Sequence, residues 1–397
     1  MPAKKLYLDY AATSYVEKEV LDAMIPYFCD RFGNASSIHL WGQEAKGAIE
    51  DARATIAQFL KAKPDEIVFT SSGTESNNLA LFGMMQREKE RKHLIVSAIE
   101  HSSVLSPARQ LEKRGFRVTY LPVDPFGKVN LAALEKEVQK DTFLVSIMHA
   151  SNEVGTIQPL SEISQLLKKK SKEFGKKIYF HSDAVQTAPI LPLDVDLLGV
   201  DLMSISSHKL YGPKGIGALF VRKQTPLSAI LYGGHQERML RASSVNVAGI
   251  VGFAAAASLT VQKQPLFAHQ MQELRDFFHE ELQKRVDGLI LNGHPQDRLP
   301  HLLNLSVTCI EGESLILHLS QAGVAASTGS ACSSHSLEPS HVLLAMGISH
   351  ELAHGSVRFS LGRSVTKEAL IEAAQIFASI VEKLREMSPL TGENHDL

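Results

Sequence analysis

Lys209 is the residue of this 397-residue chain that first suggests covalent chemistry, because it lies among polar groups after an apolar run. The run spans 202–205, the polar residues extend from Ser206 to His208, and a second apolar run occupies 218–221. This pattern predicts a strand, a polar turn and another strand. A lysine at the end of a buried strand is costly unless its charge is neutralised, for example by a Schiff base with an aldehyde cofactor. Taken alone, the pattern is more typical of a surface turn.

Other polar residues also follow short apolar runs of strand length. Helical segments such as 131–138 and 160–174 separate these runs, and this alternation predicts an α/β fold with a largely parallel sheet. Ligands bind at the carboxyl ends of the strands in such sheets. We therefore expect one site that contains His101, Asn152, Asp183, Gln186, Ser206, His208 and Lys209.

A small polar turn at 70–74 lies between a predicted strand at 67–69 and a predicted helix at 75–87. Backbone N–H groups at a helix start bind phosphate, and serine and threonine hydroxyls add donors. The turn lacks the GxGxxG pattern and the Walker lysine, so it is neither a dinucleotide fingerprint nor a nucleotide loop. On its own, the turn fits both a phosphate site and an ordinary helix cap.

A lysine, a carboxylate and a phosphate-binding helix start are together the groups that pyridoxal 5'-phosphate requires of a protein. Asp183 can keep the pyridine nitrogen protonated, and Gln186 can donate to the phenolate oxygen. His101 can stack on the ring and carry protons. The residues predicted to bind the phosphate are Gly73, Thr74, Ser206 and His208.

The composition excludes several classes of partner and compartment. Lys plus Arg is 41 against Asp plus Glu 43, which gives no electrostatic reason to expect nucleic acid or an anionic membrane. The three cysteines have no CxxC spacing, which argues against a disulfide scaffold and a four-thiolate zinc site. The sequence also shows no signal region and no apolar run of membrane-spanning length. A cytoplasmic protein is expected.

The three cysteines lie in different sequence environments. Cys332 stands among small hydroxylated residues without an apolar face, which is typical of a reactive thiol. Cys29 ends a helical face at 16–28, and Cys309 lies on the inward face of a predicted strand at 303–310. Both are expected to be packed side chains.

The length favours two domains. We predict a large domain at 15–262 and a small α+β domain formed by 1–14 and 263–397, which carries a mobile cysteine loop at about 326–339. A buried helix is expected at 250–261, and a longer amphipathic helix at 267–286 is expected to connect the two domains.

His350 and His354 form an HExxH pattern, which binds zinc when it lies on a helix. Between Ser349 and Gly355 there is room for barely more than one helical turn, and no third ligand is evident. No metal site is therefore predicted.

The chain resembles the cysteine desulfurases of the NifS-like group, which are fold-type I pyridoxal phosphate enzymes. The resemblance covers nearly the whole chain, and its motifs stand in the family's order. These are LDYAAT at 8–13, FTSSGTES at 69–76, EH at 100–101, MHASNEVG at 148–155, HSDAVQ at 181–186, SHKLYGPKGIG at 207–217, GSAC at 329–332 and RFSLGR at 358–363. The continuation of the cysteine loop through 336–339 resembles the subgroup that serves general iron-sulfur assembly.

The resemblance implies a role for each motif. Lys209 would hold the cofactor, and Arg358 with Asn152 would bind the carboxylate of L-cysteine by charge-assisted hydrogen bonds. Cys332 would take the substrate sulfur as a persulfide, alanine would be released, and His101 would accept a thiol proton. A homodimer and a sulfur-acceptor or scaffold protein are the implied partners.

Two departures from the family's pattern are visible. The interface loop, commonly RSGT, reads RASS here, so that Ser244 replaces the threonine that reaches the phosphate of the neighbouring subunit. The chain also ends soon after 388–390, without the longer tail that can dock a scaffold protein. A selenocysteine lyase, an aminotransferase of the same fold and a catalytically silent sulfur-transfer partner remain the alternatives.

Overall fold

The structure, a computed structural model, describes residues 5–328 and 338–387. Its strands are β1 (Leu6–Tyr7), β2 (Ile67–Thr70), β3 (His93–Ser97), β4 (Arg117–Leu121), β5 (Thr142–Ser146), β6 (Tyr179–Asp183), β7 (Leu202–Ser206), β8 (Gly217–Val221), β9 (Leu289–Asn292), β10 (Leu302–Val307), β11 (Val324–Ala325) and β12 (Ser356–Ser360). Its α-helices are α1 (Lys18–Met24), α2 (Pro26–Cys29), α3 (Leu40–Leu60), α4 (Gly73–Arg87), α5 (Ser102–Lys113), α6 (Leu131–Glu137), α7 (Leu160–Phe174), α8 (Val195–Leu198), α9 (Val247–Gln283), α10 (Gly312–Gln321), α11 (His341–Ala345), α12 (His350–His354) and α13 (Lys367–Met387).

A seven-stranded sheet in the order β2-β8-β7-β6-β5-β3-β4 forms the centre of the molecule. Only β8 runs antiparallel to its neighbours, so the predicted mostly parallel mixed sheet is confirmed. The edge strand β4 was not predicted from the sequence. Its residues are largely part-exposed and include an arginine and a threonine, so it lacks the continuous apolar run of the inner strands.

Helices cover both faces of this sheet because alternate strand residues point to opposite sides. Ile67 and Phe69 of β2 pack into one core with Ile56 of α3 and Phe253 of α9. Val68, which lies between them in the sequence, packs instead into a second core with residues of α4 and α5. All four residues of β2 are buried, in keeping with the continuous apolar run at 67–69.

A further core lies around a three-stranded antiparallel sheet in the order β12-β10-β9, beside the parallel pair β1-β11. Leu305 and Phe359 from this sheet pack with Phe278 of α9 and Phe377 of α13. The sequence predicted two strands here and missed β9, whose residues other than Asn292 are partly or largely exposed. The proposed division into residues 15–262 and the remainder stays a prediction.

The junction between these cores is one continuous helix, α9, of 37 residues. The prediction of two separate helices at 250–261 and 267–286 is therefore wrong. Pro265 lies inside α9, and an interior proline costs about 3 kcal/mol because it removes a helical hydrogen bond. Burial of Phe253 in one core and of Phe278 and Leu282 in the other offsets that cost.

Two cysteine predictions are also wrong. Cys29 is exposed because a short helix starts at Pro26, and none of its four residues is buried. Cys309 is partly exposed, since β10 ends at Val307 and Cys309 adopts a φ of 64°, which turns it out of the strand direction. Among residues 5–328 and 338–387, no helix has the length and apolar character needed to cross a membrane.

Candidate active site

A cavity of about 350 Å³ lies at the carboxyl ends of the central strands. Most of the predicted site residues line it, namely Gly73, Thr74, His101, Asn152, Asp183, Gln186, Ser206, His208, Lys209 and Arg358. Ser244 is exposed and does not line this cavity, and Cys332 lies outside the described residues. The shared edge of a parallel sheet thus brings together side chains that are far apart in the sequence.

Lys209 reaches the cavity from a single 3-10 turn, Ser207–Lys209, that directly follows β7. Its ammonium group donates hydrogen bonds to the carbonyl oxygens of Ala11 and Ala12, the second at 2.7 Å. These carbonyls belong to the N-terminal segment and hold the part-buried amine at the cavity wall. Every residue has a backbone carbonyl, so this contact could not be predicted from residue types.

Asp183, the last residue of β6, presents a buried carboxylate to the cavity. One carboxylate oxygen accepts from the Asn77 side-chain amide at 2.6 Å, and the other accepts from the backbone N–H of Val185 at 2.9 Å. Both of these partners are neutral, so neither offsets the negative charge. A protonated pyridine nitrogen would supply the missing positive charge, and Asp183 therefore fits the proposed cofactor.

Sequence reasoning missed Asn77, which is fully buried on α4. Its side-chain amide also donates to the Ser103 hydroxyl at 2.8 Å and so links α4, α5 and β6 beneath the cavity. A polar side chain buried within a helix indicates such a role, but the burial of Asn77 is evident only in the structure.

The helix start expected to bind phosphate is α4, which has 15 residues and is capped by Ser72. The Ser72 hydroxyl accepts from the Glu75 backbone N–H at 3.1 Å. Glycine is required at position 73, because a Cβ there would lie 2.7 Å from the Val185 side chain. The N–H groups at the start of α4 therefore approach the cavity closely and fit a phosphate group.

His208 is a neutral donor or acceptor in this site. Its Nδ1 atom shares a hydrogen bond of 3.1 Å with the Thr13 hydroxyl. Burial lowers the pKa of His208 to about 4, and the nearby charges of Lys209 and Lys214 contribute to the decrease. At neutral pH this imidazole therefore carries no positive charge.

His101 caps α5 with its own side chain. The Nδ1 atom accepts a hydrogen bond from the Ser103 backbone N–H at 3.1 Å. Because a backbone N–H can only donate, the neutral ring of His101 carries its proton on Nε2. In this tautomer His101 offers a donor at Nε2, which does not favour the predicted role as acceptor of a thiol proton.

Arg358, on β12, brings a guanidinium group to the cavity. It donates to the carbonyl oxygen of Asn152 at 2.8 Å and to the Asp9 carboxylate at 2.9 Å. Its Nε atom is buried and has no partner in the described residues.

Gln186 donates to the Ala11 carbonyl oxygen at 2.9 Å, and an amide has a second N–H for the predicted phenolate contact.

Glu100 is a second carboxyl group close to the site, and it is completely buried. One of its oxygens accepts from the Met148 backbone N–H at 2.7 Å, and the other has no partner among the described residues. Burial raises the pKa of Glu100 to about 8, and the negative charge of Asp183 adds to the increase. The sequence motif at 100–101 had drawn attention only to its histidine.

Replacing Glu100 with glutamine is expected to stabilise the protein increasingly as the pH rises from about 5 to 8. Over this range the folded carboxyl keeps its proton whereas the unfolded carboxyl ionises, so the parent loses stability as the pH rises. Glutamine keeps the neutral shape and removes this loss, which should raise the melting temperature by a few degrees at the upper end, since about 1 kcal/mol shifts a large protein by ~2 °C. Thermal unfolding of both proteins from about pH 5 to 8 measures the difference in melting temperature. A difference that does not change with pH would contradict the prediction.

Comparisons with known proteins show the family of this chain. A family model described as aminotransferase class-V matches residues 6–372. The cysteine desulfurase IscS of Dictyoglomus turgidum is 51% identical over 391 residues, which cover 98% of this chain and 98% of the relative. A solved NifS-like protein superposes with a TM-score of 0.90 at 38% identity, covering 96% of this chain and 100% of that chain. Another solved structure, described as SspA in complex with cysteine, superposes with a TM-score of 0.79 at 37% identity, covering 90% of this chain and 99% of that chain.

The chain therefore belongs to the class-V aminotransferase family. Within that family it falls among the cysteine desulfurases, as its resemblance at the level of sequence motifs predicted. The predicted fold-type I architecture is confirmed by the same similarities.

Proposed function

We propose that this protein uses pyridoxal 5'-phosphate to remove sulfur from L-cysteine, releases L-alanine and passes the sulfur on as a persulfide of Cys332. The observation that carries the proposal is the convergence of Lys209, Asp183 and Arg358 on one cavity at the carboxyl ends of the strands. The relative from Dictyoglomus turgidum is named a cysteine desulfurase, and the SspA structure is described as a complex with cysteine.

Each end of the cofactor has candidate ligands in the cavity. Lys209 would hold its aldehyde carbon, Asp183 its ring nitrogen and Gln186 its phenolate oxygen, whereas the α4 start with Gly73 and Thr74 would hold the phosphate. Ser206 and His208 are further phosphate ligands in this proposal. When bound, the cofactor supplies an aromatic ring that accepts electrons from the substrate.

The chain's own residues would then orient the substrate and manage its protons. Arg358 and Asn152 would bind the substrate carboxylate, with the unpartnered Nε of Arg358 as the free donor. Asn77 keeps the Asp183 carboxylate oriented, and the carbonyls of Ala11 and Ala12 hold the Lys209 amine in place before substrate binds. His101 would donate a proton from Nε2.

Replacing Arg358 with lysine should raise the KM for L-cysteine by roughly 10- to 100-fold, the effect of losing about 1.5–3 kcal/mol in a charged hydrogen bond. Lysine keeps the charge but cannot hold Asn152 and Asp9 while also donating to a carboxylate, because it lacks a planar fork. Steady-state kinetics of alanine formation separate KM from kcat. Arg222→Lys, at a part-exposed arginine that does not line the cavity, is the control. An unchanged KM in the Arg358 variant would rule out the assigned role.

The direct test is incubation of the purified protein with L-cysteine and dithiothreitol. We expect alanine and sulfide to form in equal amounts, because each turnover removes one sulfur atom from one substrate molecule. Production of neither compound by the cofactor-loaded protein would refute the proposed function. Activity on L-selenocysteine alone would indicate the selenocysteine lyase instead.

We also propose a homodimer, a cytoplasmic location and a sulfur acceptor such as an iron-sulfur assembly protein. Support for the dimer comes from large apolar side chains that are exposed close together in the chain, namely Phe28, Phe32, Ile38, Leu40 and Trp41. Ser244 is exposed on a loop outside its own cavity, as a residue that serves the partner's phosphate site would be. Light scattering in solution tests the dimer.

A further inference from the structure

His341 lines the same cavity, although no sequence pattern pointed to it. It is the first residue of α11 and is exposed on one side. Its Nε2 atom forms a hydrogen bond of 3.1 Å with the backbone carbonyl oxygen of Glu100, the residue that precedes His101. One histidine, His101, thus belongs to the segment 100–101, and the other, His341, forms a hydrogen bond with it.

Packing fixes the position of His341. The next two residues, Val342 and Leu343, are buried in a small cluster with Ile99 and Val154. These two lie close in sequence to residues 101 and 153, which line the cavity. Ser340 caps α11 and donates a short hydrogen bond to the Glu153 carboxylate, which also lines the cavity. The backbone of His341 is thus anchored on both sides, and its ring is directed to Glu100 by a hydrogen bond.

This hydrogen bond determines the tautomer of the neutral ring. A carbonyl oxygen can only accept, so Nε2 carries the proton and Nδ1 keeps its lone pair. No residue within 5–328 or 338–387 forms a hydrogen bond with Nδ1 of His341. His101 differs, because its Nδ1 lone pair already accepts from the Ser103 backbone. Of the two rings, His341 is the one whose neutral form has a lone pair that the described chain leaves open.

We propose that His341 is a second histidine of the reaction and that its Nδ1 accepts the proton of a thiol at the cavity. The S–H bond breaks, an N–H bond forms on the imidazole, and the sulfur keeps the electron pair as a thiolate. The exposed side of the ring then returns the proton to water. The inference rests on the proposed function, which requires a thiolate, and a free thiol is only a few per cent ionised at neutral pH. The thiol comes from bound L-cysteine or from Cys332.

His341→Gln tests the base while keeping the hydrogen bond, because the glutamine amide can donate to the Glu100 carbonyl but has no basic nitrogen. We expect kcat for alanine formation to fall by roughly 10²-fold or more, in keeping with the loss of a general base. The KM for L-cysteine should change less than twofold. His354→Gln, at an exposed histidine on α12, should keep parental values. Added imidazole should restore activity to His341→Ala, because a small base can enter from solvent.

Alkylation of Cys332 in substrate-free protein, followed by mass spectrometry, separates the two sources of the thiol. Slower alkylation in His341→Gln identifies the Cys332 thiol as the proton donor, whereas unchanged alkylation with slow turnover identifies the substrate thiol. Parental kcat in His341→Gln, or no rescue of His341→Ala by imidazole, would overturn the inference. If the parent protein itself released no alanine, the proposed function would fail instead.

Discussion

Replacing Lys209 with alanine is expected to abolish the release of alanine and sulfide from L-cysteine. The proposed role of this amine is covalent, and removal of a covalent catalytic group lowers kcat by roughly 10³-fold or more. The fold should survive, because Lys209 is only part-buried and its described partners are the backbone carbonyls of Ala11 and Ala12. Alanine and sulfide are measured in parallel with circular dichroism. Turnover within tenfold of the parent would contradict the assignment.

Two further variants separate the nucleophile from its charge. Lys209→Arg keeps a cation that can still donate to the two carbonyl oxygens, but a guanidinium stays protonated and does not add to an aldehyde. It should be as inactive as the alanine variant. Lys214→Ala removes an exposed lysine from the same loop and should leave turnover unchanged. Substantial activity in the arginine variant would assign Lys209 an electrostatic role only.

The site was predictable from the sequence to the extent that it depends on strand ends. Asp183, Ser206 and Lys209 follow apolar runs, and the carboxyl ends of parallel strands meet at one edge, so their meeting required no knowledge of contacts. The contact between Asn77 and Asp183 joins residues 106 positions apart and was not accessible in this way. The hydrogen bonds from Lys209 to two backbone carbonyls could not be predicted either, because every residue type has such a carbonyl.

The errors in the fold arise where tertiary packing overrides a local pattern. The helices predicted at 250–261 and 267–286 are one helix, because burial on both sides of Pro265 keeps α9 continuous. Cys309 continued the alternation of a strand that in fact ends at Val307. Strands β4 and β9 lie at sheet edges, where partial exposure weakens the apolar pattern on which the predictions were based.

The histidines show why residue type alone could not assign proton transfer. Burial lowers the pKa of His149 and of His208 to about 4, so neither ring is charged at neutral pH. The tautomers of His101 and His341 depend on whether a backbone donor or a backbone acceptor faces the ring. Only the three-dimensional arrangement distinguishes a ring that donates from one that accepts.

Replacing Cys332 with alanine is expected to stop the release of both alanine and sulfide, and to prevent formation of a protein persulfide. Cys332 lies outside the described residues, so the prediction rests on its sequence context and on the proposed function. If the cysteine thiolate is the group that takes the sulfur, no other step can complete the turnover, and kcat should fall by roughly 10³-fold or more. Mass spectrometry after one turnover should show one added sulfur atom on Cys332 in the parent.

The chain provides its own controls for this experiment. Cys29 and Cys309 are both at least partly exposed, so each offers a thiol that reagents can reach. Cys29→Ala and Cys309→Ala should keep parental turnover, because neither residue lines the cavity. Cys332→Ala should still bind L-cysteine, since the proposed carboxylate ligands Arg358 and Asn152 are unchanged. Sulfide release that persists in Cys332→Ala would exclude the persulfide mechanism, and its loss in Cys309→Ala would move the sulfur acceptor to that thiol.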